Sequence, residues 1–177
     1  LICGAFRLAR FNCLAGNPRA AAEVAAYEPD IVLLQESPGR EPLERLARDV
    51  FGAAGASVWG GDTAVLARGP LASCHVDGGS HFVHVRVALP SGFAADVISL
   101  RLSPPVMRLD FWHPGFWQDH YSNRIKHRAQ IAEVVDELST SVGPSRPLIV
   151  GGDFNAPPNA PELQPLGAQL NRRQGVL

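Results

Sequence analysis

The sequence predicts a layered α/β protein with largely antiparallel sheets and helices outside them, and three observations carry that expectation. Short apolar runs such as Ile31, Val32, Leu33, Leu34 and Leu148, Ile149, Val150 have the length of buried strands. Stretches of helical character, at 41–51 and 121–139, are interleaved with them. Between these, residues 56–102 turn to β-rich segments separated by Gly-Pro, Gly-Gly and Pro-Ser-Gly turns, the texture of antiparallel strands.

The first strand is expected over 7–14, with Asn12 between Phe11 and Cys13. Asn17 and Pro18 then supply an N-cap and a first helical residue for 19–27. A second strand, 30–36, ends in Gln35 and Glu36, and a helix covers 41–51. Strands follow at 64–68, 72–76, 81–89 and 94–102. In 81–89, Val83, Val85, Val87 and Leu89 alternate with Phe82, His84, Arg86 and Ala88, so one face is core and His84 and Arg86 are assigned to a solvated face. His75 and His81 carry no functional signal of their own.

Residues 103–121 read as a long aromatic loop that holds Trp112, His113, Phe116, Trp117, Asp119 and His120. Such a loop either presents its rings to a ligand or uses them to pin itself to the core. The helix expected at 121–139 sets Ile131, Val134, Val135 and Leu138 on one face, and that face extends backwards to Arg124, His127 and Arg128. The last strand breaks at Gly151 and Gly152, after which Asp153 and Asn155 stand two residues apart and can leave one strand end together. An Asx-type turn stopped by Pro157 and Pro158 would use the same residues. Asn12, Glu36 and Asp153 each sit at or near a strand end, which suggests one convergent polar cluster.

At 177 residues and 46% hydrophobic content the chain is expected to form a single domain, 1–177, with a real core. No apolar run reaches the roughly 18 residues of a membrane span, and Leu1 opens no signal-peptide pattern. Leu1 in place of Met is what a processed form or a fragment gives. Cys3, Cys13 and Cys74 are odd in number and lack metal-ligand spacing, which predicts buried free thiols and favours a reducing, cytoplasmic compartment. A net charge of −1 shows no global basic footprint of the kind nucleic-acid binders use.

Asn12 after a β-rich start, the Gln35-Glu36 pair, Asp62 through Arg68, and Gly151-Gly152-Asp153-Phe154-Asn155 occur in an order that resembles the endonuclease/exonuclease/phosphatase superfamily. These are Mg²⁺-dependent phosphoesterases that include exonuclease III, pancreatic deoxyribonuclease, neutral sphingomyelinases and inositol polyphosphate phosphatases. Gly-Asp-Phe-Asn is the most specific element, and the resemblance covers essentially the whole chain. It implies part of a four-layer α/β sandwich. It also implies a metal-dependent phosphoester hydrolase, phosphodiesterase or nuclease-like, using Mg²⁺ or Mn²⁺ on a nucleic acid, a phospholipid or a small phosphorylated molecule.

Within that resemblance Glu36 is the direct metal ligand, and Asn12 touches the metal's water or the phosphate. Asp153 orients or deprotonates the attacking water, and Asn155 donates to a phosphate oxygen. Arg101, Arg124, Trp112 and Trp117 are the substrate-binding candidates. Asp62 is either a further site residue or a turn residue after Gly60 and Gly61. Arg128 and Gln130 match family positions with a mainly structural role. Two departures stand out. Where many members have a His-Leu pair, this chain has Arg101-Leu102, and an arginine stabilises phosphate charge without serving as a general acid near neutral pH. The family's closing Ser-Asp-His element is missing: all six histidines precede Asp153. A family domain lacking its C-terminal portion, with little turnover of its own, is therefore the expectation. The alternatives are a degenerate relative that binds a phosphorylated ligand or a protein partner without catalysis, and a structural domain whose acids only cap turns.

Overall fold

In the computed structural model, which describes residues 6–76, 81–143 and 146–174, the chain divides into two compact units. Leu1–Arg101 with Ser145–Asp153 form the first, and Leu102–Pro144 with Phe154–Leu177 the second.

The first unit is built on two four-stranded sheets. One has the order β1-β2-β4-β3, with β1 Leu8–Asn12, β2 Ile31–Gln35, β3 Gly55–Trp59 and β4 Thr63–Arg68. The other has the order β5-β6-β7-β8, with β5 Leu71–Val76, β6 Phe82–Ala88, β7 Ala94–Arg101 and β8 Leu148–Asp153. Four of the strand pairs are antiparallel. The pairs β1–β2 and β7–β8 are parallel. Each sheet therefore has one place where two strands deliver their C-terminal ends side by side.

All five residues of β2 are buried, and alternation explains why the run is apolar throughout. Ile31 and Leu33 pack with Val65 and Ala67 against Val83, Val85, Val87 and Val97 of the other sheet. Val32 and Leu34 face the opposite way, towards α1 (Pro18–Ala22) and α2 (Arg40–Phe51). Helix α2 buries Leu43, Leu46, Ala47 and Phe51, spaced to make one face, and each large side chain so buried contributes about 1.5–3 kcal/mol. Asn17 caps α1 as expected, its side chain accepting from Arg19 N at 3.0 Å. The helix soon tightens to a 3₁₀ turn over Glu23–Tyr27.

His84 departs from its assignment. It is fully buried, with a ring nitrogen 3.2 Å from buried Asp96, whereas its neighbour Arg86 is exposed as expected. Alternation separates the two faces of β6 but does not say whether the second is covered. Cys13 is a fully buried free thiol and Cys74 is only half-buried. Cys3 and the Gly78-Gly79 turn lie outside the described residues.

The second unit contains α3 (Pro114–Thr140), a 3₁₀ turn over Pro161–Leu163 and α4 (Gln164–Gln174). Helix α3 starts seven residues earlier than the apolar pattern suggests, so Phe116, Trp117, Asp119 and His120 are helical rather than loop residues. The reason is capping: the His113 side chain accepts from Gly115 N at 3.0 Å, and Pro114 occupies the first helical position. The irregular stretch shortens to 102–113. Arg108 organises it, donating to Asp110 through Nε and Nη2 and to Asp119 at 2.6 Å, and its bonds to Asp110 hold that carboxyl down to about 2. The tryptophans do not pin the loop to a core: Trp112 is 74% exposed and Trp117 64%. Among the described residues, no helix is long and apolar enough to cross a membrane.

Candidate active site

Register places the site. Asn12 stands opposite Gln35 in the β1–β2 pair, and Arg101 opposite Asp153 in the β7–β8 pair. Paired residues of parallel strands share a face, so both pairs look into the space between the sheets. Three contacts tie these ends together across that space. Gln35 Nε2 donates to Ser99 Oγ at 3.2 Å, Arg10 Nη1 to Gly152 O at 2.6 Å, and Arg101 Nη2 to Glu36 Oε1 at 3.0 Å. The two glycines of β8 make the approach possible. A Cβ on Gly151 would sit 2.7 Å from Leu33 Cδ1, and one on Gly152, whose φ is +152°, only 1.9 Å from Leu100 O.

Glu36 is the first residue beyond β2 and has a φ of +50°, a conformation that side chains other than glycine rarely adopt. Beside it Leu14, Ala15 and Gly16 form a turn with φ of 49°, 56° and 79°. Such runs persist where surrounding bonds over-determine them. Here Ala15 N donates to Glu36 Oε2 at 2.5 Å and Gly16 N to Glu36 O at 2.9 Å. Asn12 serves both segments, its Oδ1 accepting from Leu14 N at 2.9 Å and its Nδ2 donating to Glu36 Oε1 at 3.2 Å. The Ala15 amide first, then Asn12, and after them the charge and hydrogen bond of Arg101 hold the Glu36 carboxyl below the usual carboxylate range despite partial burial.

Arg101 also reaches Asp62, with Nη1 to Oδ2 at 2.7 Å. The Asp62 turn is bound to the Glu36 segment by Ser37, whose N donates to Asp62 O at 3.1 Å and whose Oγ donates to Gly61 O at 2.8 Å. The side chains of Arg101 and Glu36 are 17% and 24% exposed, and that of Asp62 65%. Of the sequence candidates, Asn12, Glu36, Asp62 and Arg101 thus form one bonded group, with Asp153 the register neighbour of Arg101.

The remaining candidates belong to the second unit. Asn155 has a φ of +46° and donates to Leu102 O at 2.7 Å. Arg124 lies 3.7 Å from Glu162, and Trp112 and Trp117 make edge contacts with Phe111 and Phe116. His127 is buried with Nε2 2.7 Å from Ser103 O, while Gln130 accepts from Ser103 N at 3.0 Å, the structural role expected of it.

Two parts of the site escaped the sequence reading. Arg10 shares the inward face of β1 with Asn12, two residues away, and period-2 alternation is a signal that points to it. The amide of Ala15 has no such signal, because Leu14 and Ala15 are not turn-forming types. A further cluster, Cys74, His84 and Asp96, has ligand atoms within 4.8 Å of one another although its residues are far apart in sequence. Asp96 there already meets Arg86 and Arg146, each at 3.3 Å.

The family model for the endonuclease/exonuclease/phosphatase family matches residues 11–174, and the chain belongs to that family, one of phosphoester hydrolases. Solved structures agree at the level of fold. A beta toxin of Staphylococcus aureus with bound magnesium ions superposes with a TM-score of 0.66 at 15% identity, over 95% of this chain and 71% of that one. The endonuclease/exonuclease/phosphatase of Beutenbergia cavernae gives 0.57 at 18% identity, over 89% of this chain and 50% of that one. Truncated TDP2 of Caenorhabditis elegans gives 0.55 at 18%, over 86% and 63% respectively. No curated protein matches the chain.

Proposed function

We propose that the chain is a divalent-metal-dependent phosphoester hydrolase, phosphodiesterase or nuclease-like, whose substrate is a nucleic acid, a phospholipid or a small phosphorylated molecule. One observation carries this reading: Glu36, at the convergent strand ends, is kept ionised and aimed by the Ala15 amide and Asn12. The donor set fits a hard cation. Mg²⁺ needs only one or two carboxylates beside water and substrate phosphate, and Glu36 Oε2 accepts from Ala15 N alone among the described residues. Glu36 with Asn12 would hold Mg²⁺ or Mn²⁺, which when bound supplies charge neutralisation at phosphate and a lowered pKa for the attacking water. Asp153 orients that water and takes its proton. Arg101 and Asn155 donate to phosphate oxygens as charge develops there. Arg124, Trp112 and Trp117 contact the rest of the substrate, the exposed rings by stacking or apolar contact.

A second reading, a relative that binds a phosphorylated ligand without turnover, is favoured by the Arg101 bridge to Glu36 and Asp62. Hydrolysis of bis(p-nitrophenyl) phosphate with Mn²⁺ separates them. The first expects metal-dependent release of nitrophenolate that falls about 10²–10⁴-fold in Asp153→Ala without loss of the fold. No turnover in a protein that Mn²⁺ still stabilises would favour the second.

A further inference from the structure

Among the described residues, Arg101 is the cation that Glu36 already holds. We propose that Arg101 is a resident counter-ion for Glu36 and Asp62 that competes with divalent metal for them, so that metal and phosphoester bind cooperatively through release of its guanidinium. The proposal rests on Glu36 being the metal ligand.

The geometry is that of a clamp. Nη2 bonds Glu36 Oε1 at 3.0 Å and Nη1 bonds Asp62 Oδ2 at 2.7 Å, a two-carboxylate span that a planar guanidinium makes and a compact ammonium does not. Oε1 also receives Asn12 Nδ2, so its two lone pairs are both taken while the clamp is closed. The Arg101 side chain is mostly buried, where charges are poorly screened, and a dication beside Glu36 would meet a fixed positive charge. Among the described residues nothing comparable holds the other end of the guanidinium, since Nε is buried without a hydrogen-bond partner. An anionic phosphate offered to Arg101 replaces the carboxylates as its partner. Glu36 and Asp62 then regain acceptor capacity and lose the competing charge, and the metal binds more tightly. By linkage the metal tightens phosphate by the same factor.

The test is a Mn²⁺ titration of the whole chain. Free Mn²⁺ is followed by its paramagnetic resonance signal, and binding is also read as the rise in unfolding temperature over each variant's own metal-free value. Arg101→Ala should bind Mn²⁺ at least about tenfold more tightly than wild type, because one positive charge is gone from beside the ion. Arg101→Gln, which keeps a hydrogen bond to the carboxylates without charge, should give the same gain and serves where the alanine variant does not fold. Adding Glu36→Ala to either should abolish the gain. Arg101→Lys, which keeps the charge, should stay within about threefold of wild type. Dimethyl phosphate should tighten Mn²⁺ binding several-fold more in wild type than in Arg101→Gln, where only its direct contact with the ion remains. Equal Mn²⁺ affinity in wild type and Arg101→Gln, with binding still lost in Glu36→Ala, overturns the competition and leaves the metal-ligand reading intact. Equal gains in Arg101→Lys and Arg101→Gln, or equal tightening by dimethyl phosphate in wild type and Arg101→Gln, also overturn it. If no variant binds Mn²⁺, the assignment of Glu36 fails and the proposal with it.

Discussion

Glu36 leaves β2 in a left-handed conformation, and that single φ turns its carboxylate back onto the Ala15 amide. Because the folded protein holds this carboxyl below its unfolded value, the unfolded chain binds the proton more readily. The resulting stability is fully present above the ordinary glutamate range near about 4.3 and is lost as pH falls through the lowered folded value. Glu36→Gln should therefore flatten the loss of stability between neutral and acid pH, seen as a smaller shift of the urea midpoint. An unchanged pH profile would show that the carboxylate is not coupled to folding. Cys13 is affected in the opposite sense. Burial first, and the Glu36 charge second, push its thiol up to about 11. It should resist iodoacetamide at pH 8 in the native protein and react on unfolding, as peptide mapping by mass spectrometry reports. Labelling of native Cys13 at the rate of a solvent thiol would contradict its burial. Strand-end position made Asn12, Glu36 and Asp153 visible in the sequence, since each sits at or near one end of a strand-like stretch. The amide that aims Glu36 was not visible, because a backbone N–H carries no residue identity.

Strand β8 depends on having no Cβ at two successive positions, and the two differ in kind. At Gly151 an added methyl meets the end of a leucine side chain, which can rotate away; at Gly152 it meets the Leu100 carbonyl in a backbone region that disfavours any side chain. Gly152→Ala is expected to cost more than about 3 kcal/mol and Gly151→Ala about 1–3, compared by denaturant midpoints. The reverse order would mean that the sheets cannot accommodate each other at Leu33. Elements with strong periodicity, α2 and the alternating β6 among them, were legible because core packing dictates their pattern. The first seven residues of α3 were not. Their exposed Trp117 breaks the apolar spacing, and His113 is not among the usual capping residues. His113→Ala should fray that turn by about 1 kcal/mol, seen as faster hydrogen exchange over 115–118 with the rest of the helix unaffected.

At the scale of the molecule, family and fold were readable because Gly-Asp-Phe-Asn and the strand-end acids record a shared backbone, whereas substrate choice depends on surfaces that such motifs do not encode. Charge gives one way to narrow it. Binding to DNA releases about 0.9 counterions per phosphate neutralised, so the salt dependence counts the cations that engage the backbone. This chain has a net charge of −1, and its two arginine candidates are already committed, Arg101 to Glu36 and Asp62, and Arg124 near Glu162. A phosphate contact by either of these two must first break an internal ion pair, which removes part of the gain. Fluorescence anisotropy with duplex DNA should therefore give a shallow slope of log K against log salt, about −2 or less steep, and weak affinity near physiological salt. A small phosphodiester would bind with little salt dependence, because it needs Arg101 alone rather than a row of cations. A DNA slope steeper than about −4, corresponding to more than four phosphates, would mean that arginines outside the site form a basic track, and would return nucleic acid to the front of the substrate classes.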